Sequence, residues 1–282
     1  MPGLQIRALE EADLTAAAAV SAAAFDLDIA ERPAVDRWRA RVAHPLSTDP
    51  EGSYVAERDG RVIGLAQAIR RERLWCLSML AVQPEAQTAG AGRALLSRAL
   101  AYGAGTDAGL IPCSNDSRAL RLYALAGFSL LPTFDATGAI DRGSLPPVDN
   151  DIRDGSHVDL DALAVISRDI RGAPHTRELE FALRSGARLL RLADRGFAVA
   201  APGHGVWLLV AYDDDAATAL LYAALALVGE TQRAGVRWIT AGQQWAVDAV
   251  LRAGLHLVPS GALCVRGRPG PLSAFLPSGP FA

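Results

Sequence analysis

Residues Leu80 to Leu96 read LAVQPEAQTAGAGRALL, and the way this stretch divides decides the fold. Leu80, Ala81 and Val82 close an apolar strand, and Pro84 cannot continue a ladder because it lacks an N–H. Gly90 and Gly92 then mark a turn before Arg93, Leu95 and Leu96 open a helix. Strand, glycine turn and helix in that order aim several unpaired backbone N–H groups, and the positive end of a helix dipole, at one point where phosphate oxygens can accept them. The glycines allow close approach of a ligand and tolerate positive φ. Turns of this composition also serve as plain connections, so a second signal is needed.

That signal is Asp116 to Phe128, DSRALRLYALAGF, a short amphipathic helix that carries Tyr123 and closes at Gly127. Together the two stretches resemble the GNAT superfamily of N-acetyltransferases, where Gln/Arg-x-x-Gly-x-Gly/Ala is followed by Ala-x-x-x-Tyr-x-x-x-Gly-Phe. Gln87, Gly90 and Gly92 carry the first pattern, and Ala119, Tyr123, Gly127 and Phe128 the second. The resemblance implies that Gln87, Thr88, Ala89, Gly90, Ala91, Gly92 and Arg93 hold the pyrophosphate of acetyl-CoA, a co-substrate, with no metal. It implies that the backbone of Leu80, Ala81 and Val82 pairs with the pantetheine amides. It also assigns Asn115 to the pantetheine arm, although here the helix opens with Asn115-Asp116 rather than with asparagine at the family's position. The chemistry implied is direct attack by a neutral amine, with Tyr123 as general acid to the departing thiolate and an N–H near Val82 facing the developing oxyanion. The weaker alternative for Tyr123 is a core tyrosine with a satisfied hydroxyl. Glu57, Glu72 and His44 are positioned as candidate bases, none with a pattern around it.

The remaining composition narrows the class. The chain has 282 residues, 50% hydrophobic and 21% charged, with net charge −3 and no basic run, so it is globular and not a general nucleic-acid binder. Cys76, Cys113 and Cys264 are widely spaced in apolar surroundings and read as buried reduced thiols. The first residues, MPGLQIR, show no signal peptide, and charges interrupt every apolar stretch before 18 residues. A cytoplasmic enzyme with no membrane and no nucleic-acid partner is expected.

In chain order, Leu4 to Arg7 reads as a strand, Glu11 to Phe25 and Ala34 to Val42 as helices, and Ser53 to Arg58 with Arg61 to Ile69 as a hairpin about Asp59-Gly60. Leu74 to Val82, Gly109 to Cys113 and Phe128 to Thr133 read as further strands. In the resembled fold the two early helices wall the acceptor site, which makes Phe25, Asp26, Asp28 and Trp38 candidate contacts; as single residues they read more simply as core aromatics and solvated acids.

The second half repeats these landmarks. Ile6-Arg7 with Asp13-Leu14 matches Ile152-Arg153 with Asp159-Leu160, the hairpin at Gly60 matches that at Gly196, and Ala119, Gly127 and Phe128 match Ala246, Gly254 and Leu255. The expected architecture is therefore α/β, two tandem GNAT-like domains, each a mixed central sheet flanked by helices. Their expected extents are 1–145 and 146–282, divided in the Gly143 to Pro147 linker. Where the first copy has its glycine turn the second has Asp213-Asp214-Asp215, and where the first has Tyr123 the second has Val250. The second copy thus reads as degenerate. Arg168, Arg171 and His175 form a polar cluster that reads as a solvated helix end rather than as groups facing an acidic part of a substrate, and Pro269 to Ala282 reads as a tail that lies along a surface and covers it.

The leading reading is an N-acetyltransferase acting on a primary amine of a small molecule or peptide, compatible with a homodimer. A non-catalytic acyl-CoA-binding sensor or scaffold is the alternative; it would have no use for Tyr123. A dinucleotide or P-loop protein is disfavoured because Gly90-Ala91-Gly92 lacks the third glycine and the Lys-Ser/Thr of those motifs.

Overall fold

The computed structural model describes residues 3–27, 31–87, 90–201 and 205–281. The described residues form two compact units that divide between Thr106 and Asp107. The first contains β1 (Leu4–Ala8), α1 (Leu14–Ala24), α2 (Arg32–Thr48), β2 (Ser53–Arg58), β3 (Arg61–Arg71), β4 (Leu74–Val82) and α3 (Ala91–Tyr102). β1 to β4 pair in sequence order, each antiparallel to the next. The β2–β3 turn has φ of 51° at Asp59 and 73° at Gly60, the two positive values that a type I′ hairpin requires. Alternation divides the sheet's faces. Val55, Leu65, Met79 and Ala81 pack against α1 and Val42 of α2, whereas a methyl at Gly64 would reach Leu95 of α3, and the Trp75 indole donates to the Ala99 carbonyl.

The second unit contains β5 (Ala108–Cys113), α4 (Ser117–Leu125), β6 (Ser129–Gly138), β7 (Ile152–Asp154), α5 (Leu160–Arg171), α6 (Thr176–Arg184), β8 (Arg188–Leu192), β9 (Gly196–Ala201) and β10 (Gly205–Ala211). It continues with α7 (Asp214–Ala226), β11 (Ala234–Thr240), α8 (Gln244–Arg252), β12 (His256–Gly267) and β13 (Phe275–Leu276). Its sheet is buried on both faces: Leu189, Phe197, Val199, Leu208 and Val210 face α5 and α6, while Leu190, Ala198, Ala200 and Leu209 face α7 and α8.

The internal repeat is a repeat of elements. Strand, 3-10 turn, two helices, three strands, helix, strand, helix and strand run from β1 to β6 and again from β7 to β12. The recurrence of Asp13 as Asp159 has a local cause, since each closes a capping box, with Glu10 and with Ser156. Asp13 also pairs with Arg7 at 2.6 Å; its counterpart Asp159 takes Arg191 of β8 instead of Arg153.

The last strands of the two repeats are exchanged. β12 lies between β5 and β6, and β6 lies between β12 and β11, so each repeat's closing strand pairs with the strand preceding the other's last helix. All three ladders are antiparallel. This is why the compact units divide at Thr106–Asp107 while the sequence repeat begins again after the linker.

The tail does not lie along a surface. Phe275, Leu276 and Phe281 are buried, and β13 adds antiparallel to β10 through Leu209↔Leu276 and Val210↔Phe275. The opening for it arises because, among the described residues, β10 and the parallel β11 share a single register pair, Gly205↔Gly235, and diverge beyond it. A Cβ at Gly205 would stand 2.6 Å from the Gly235 carbonyl oxygen, so the approach needs glycine. The large apolar residues of the tail have their physical reason here: they fill both faces of the gap.

Candidate active site

The glycine turn forms as its sequence dictates. β4 ends at Val82, a 3-10 turn spans Pro84–Ala86, and Gly90 caps α3 with φ 80° and ψ −4°, a left-handed conformation that a Cβ would strain. The first helical bond runs from the Ala94 N–H to the Gly90 carbonyl, so the amides of Ala91, Gly92 and Arg93 precede the α3 ladder. Gly92 is half-buried, and among the described residues a methyl there would meet only Val82 Cγ2, at 3.8 Å. Arg93 is exposed, and Ala91 is buried. The Gln87 amide donates to the Val82 carbonyl at 3.1 Å, closing the turn on the strand it leaves. Thr88 and Ala89 lie outside the described residues. Leu80, Ala81 and Val82 pair with Ala66, Leu65 and Gly64 across the β3 edge. A cradle with a left-handed glycine, a second glycine with space over it and a twelve-residue helix behind it fits a pyrophosphate.

In the second unit, Tyr123 is buried on α4, 5% exposed. Burial pushes its phenol well above the usual tyrosine range, with lesser contributions from Cys113, Cys264 and Asp116, so the hydroxyl keeps its proton at neutral pH. Gly127, at φ 86°, ends α4, with the Phe128 N–H returning to the Tyr123 carbonyl. Gly254 and Leu255 end α8 in the same way on Val250, at φ 81°. Asp116 is the N-cap of α4, accepting from the Arg118 N–H, and Asn115 is exposed just before it. The three cysteines are buried and free.

The positional candidates fare differently. Glu57 is tied to Arg7 at 2.9 Å. Glu72 sits in the β3–β4 turn, at the opposite end of β4 from Val82, about 27 Å of strand away. His44 is buried in α2. Phe25 and Trp38 meet edge to face at 6.3 Å, Trp38 donating to the Ser21 hydroxyl; Asp26 has positive φ, and Asp28 lies outside the described residues. Arg171 and His175 are not a solvated helix end: both are fully buried, and Arg171 donates to the carbonyls of Ala173, Pro174 and Phe281. Only Arg168 of that cluster is exposed. Among the described residues, no helix is long and apolar enough to cross a membrane.

In the second repeat, the place of the glycine turn is taken by Asp213, whose carboxylate caps α7 by accepting from the Ala216 N–H at 2.8 Å and pairs with Arg195. Val250, in the place of Tyr123, is buried core.

Residues 17–128 match the acetyltransferase (GNAT) family, a span that contains both motifs. Mycothiol acetyltransferase of Thermomonospora curvata is 35% identical over 137 residues, 45% of this chain and 44% of that protein, so the chain matches less than half of its relative's length. Among solved structures, a Pyrococcus horikoshii protein provisionally assigned as an acetyltransferase superposes with TM-score 0.82 at 17% identity, covering 99% of this chain and 95% of its own. A tandem GNAT protein from the clavulanic acid biosynthesis pathway gives TM-score 0.60 at 16% identity, covering 94% and 98%. The chain therefore shares its fold with these two proteins, and its residues 17–128 resemble the acetyltransferase (GNAT) family.

Proposed function

We propose that the chain is an N-acetyltransferase that moves an acetyl group from acetyl-CoA to a primary amine, with residues 1–145 as the catalytic domain. The observation that carries this reading is the glycine cradle at the start of α3, left-handed at Gly90 and open over Gly92. The amides of Ala91, Gly92 and Arg93 would receive the pyrophosphate together with the helix dipole, and the Leu80–Val82 backbone would receive the pantetheine arm. The amine must lose a proton before it attacks, since an alkylammonium has a pKa of about 10.4. The C–N bond forms as the C–S bond breaks, and the departing sulfur takes a proton for which Tyr123 is the donor. Burial keeps that phenol protonated, and an apolar setting raises the thiolate's own proton affinity in the same direction.

The degenerate reading of the second repeat, residues 146–282, has two supports. Asp213 already satisfies the α7 amide that an anion would approach, and β13 fills the divergence of β10 from β11, with the Ala211 N–H donating to the Ala274 carbonyl at 2.9 Å.

The test is calorimetric titration of acetyl-CoA into wild type and a Gly90→Glu, Gly92→Glu variant. Binding near one per chain, lost in the variant, supports the reading. Binding without turnover on any amine would favour an acyl-CoA sensor, and equal binding by the variant would remove the cradle from consideration.

A further inference from the structure

Arg41 is the unexplained charge of the first unit. It lies on α2 between exposed Arg37 and Arg39 and the buried turn at His44, and is itself only 8% exposed. Its Nη2 donates to the Ser78 carbonyl at 2.6 Å, while Nη1 is enclosed and meets no acceptor. Among the described residues no carboxylate pairs with it, and burial pushes its pKa down to about 9. The contrast within the same unit is Arg71, equally buried, which meets both oxygens of buried Asp49. Beside Arg41 stands a second unsatisfied atom. Gln67, fully buried on the same face of β3 as Leu65, donates through Nε2 to the Val42 carbonyl, and its Oε1 meets no donor. A buried water at either atom would satisfy it yet leave the guanidinium charge unanswered.

The location narrows what answers it. Ser78 is the extra residue of a bulge in β4, where the register steps from Gln67↔Met79 to Ala68↔Leu77, and bulges recur beside functional sites. It lies two residues, about 7 Å of strand, before Leu80. Trp38 is one helical turn before Arg41, with the 42% exposed Phe25 against it. A guanidinium with unused donors is matched in shape and charge by a carboxylate.

Resting on the acetyltransferase reading above, we propose that Arg41 receives the carboxylate of the acceptor, so that the acceptors are amines of amino-acid type, with the Phe25–Trp38 pair beside the acceptor's apolar body. Because Nη1 is enclosed, α2 must move slightly from β4 as the acceptor enters, and Gln67 Oε1 is available to a donor on the same ligand.

The test is calorimetry of L-amino acids and their methyl esters, with and without saturating acetyl-CoA, on wild type, Arg41→Met and Arg41→Lys. In wild type at least one acid should bind ten-fold or more tighter than its ester, and the preference should vanish in Arg41→Met. If Arg41→Met does not fold, Arg41→Lys decides: acid affinity should fall several-fold while staying above that of the ester. No acid preferred over its ester in wild type, or a preference undiminished in a folded variant, overturns the proposal. Acid preference without any binding of acetyl-CoA would leave Arg41 as an anion site and remove the acetyltransferase reading instead.

Discussion

The sharpest perturbation of the cradle is a single methyl. In Gly92→Ala the new Cβ meets, among the described residues, only Val82 Cγ2, at 3.8 Å, an ordinary contact, and Gly92 has no positive φ to strain. Alanine in the first turn of α3 should therefore stabilise the fold by up to about 1 kcal/mol, raising Tm by roughly 2 to 4 °C. A phosphate oxygen accepting from the Gly92 N–H at ~2.9 Å would be crowded by that same methyl. Affinity for acetyl-CoA should fall at least about ten-fold, equivalent to ~1.4 kcal/mol. The two effects have opposite signs, so thermal melts and calorimetry on one preparation separate lost binding from lost folding. A variant with raised Tm and unchanged affinity would refute the placement of pyrophosphate at this turn.

Other expectations are independent of that one. Tyr123→Phe should leave acetyl-CoA affinity within about two-fold while lowering kcat by roughly a hundred-fold, the usual scale of a lost proton donor; an unchanged kcat in steady-state assays would make Tyr123 a core residue. Phe281→Ala removes a fully buried ring that packs edge to face on Trp207 at 5.4 Å and Phe181 at 6.1 Å. It should cost about 3 to 5 kcal/mol, a fall in Tm on the order of 10 °C, and a melt like that of wild type would show the tail to be dispensable. For pH, the Arg7 hydrogen bond holds the Asp13 carboxyl below the usual carboxylate range. A depressed pKa contributes stability that is present above the unfolded value, about 3.9, and is lost as pH falls through the folded one. Asp13→Asn should accordingly be less stable than wild type at pH 6 and converge toward it below pH ~4, read from urea midpoints across that range; a constant difference would dismiss the ion pair as the cause.

Much of the first repeat was legible because its signals are local. Leu74–Val82 is a strand with those bounds, Asp59-Gly60 takes the positive φ pair its composition demands, and Gly127 ends the Tyr123 helix as glycine does. Pattern also exposed the repeat, since Asp13 and Asp159 are capping residues whose spacing is set by a turn of helix. The exchange of β6 and β12 was not legible: a strand buried on both faces reads the same whichever neighbour it pairs with. The tail was misjudged for a related reason, as proline and glycine suggested a surface path while Phe275 and Phe281 were fitting a gap that exists only once β10 and β11 diverge. Arg41 gave no signal, for it stands among arginines on an outwardly polar helix, and only its burial separates it from Arg37 and Arg39. Glu57 looked available as a base because its partner, Arg7, is fifty residues away in the chain.

The exchanged strands bear on how such a chain is made. As it leaves the ribosome, β5 and β6 emerge long before His256–Gly267, the strand that lies between them. Until β12 has been made, both present open edges with unsatisfied N–H and C=O groups, the condition under which strands pair with whatever is at hand. A fragment ending in the Gly143–Pro147 linker would keep those edges permanently. Expression of the first repeat alone should therefore yield aggregates or paired fragments, and supplying the remainder of the chain as a separate polypeptide should rescue solubility by restoring the missing strand.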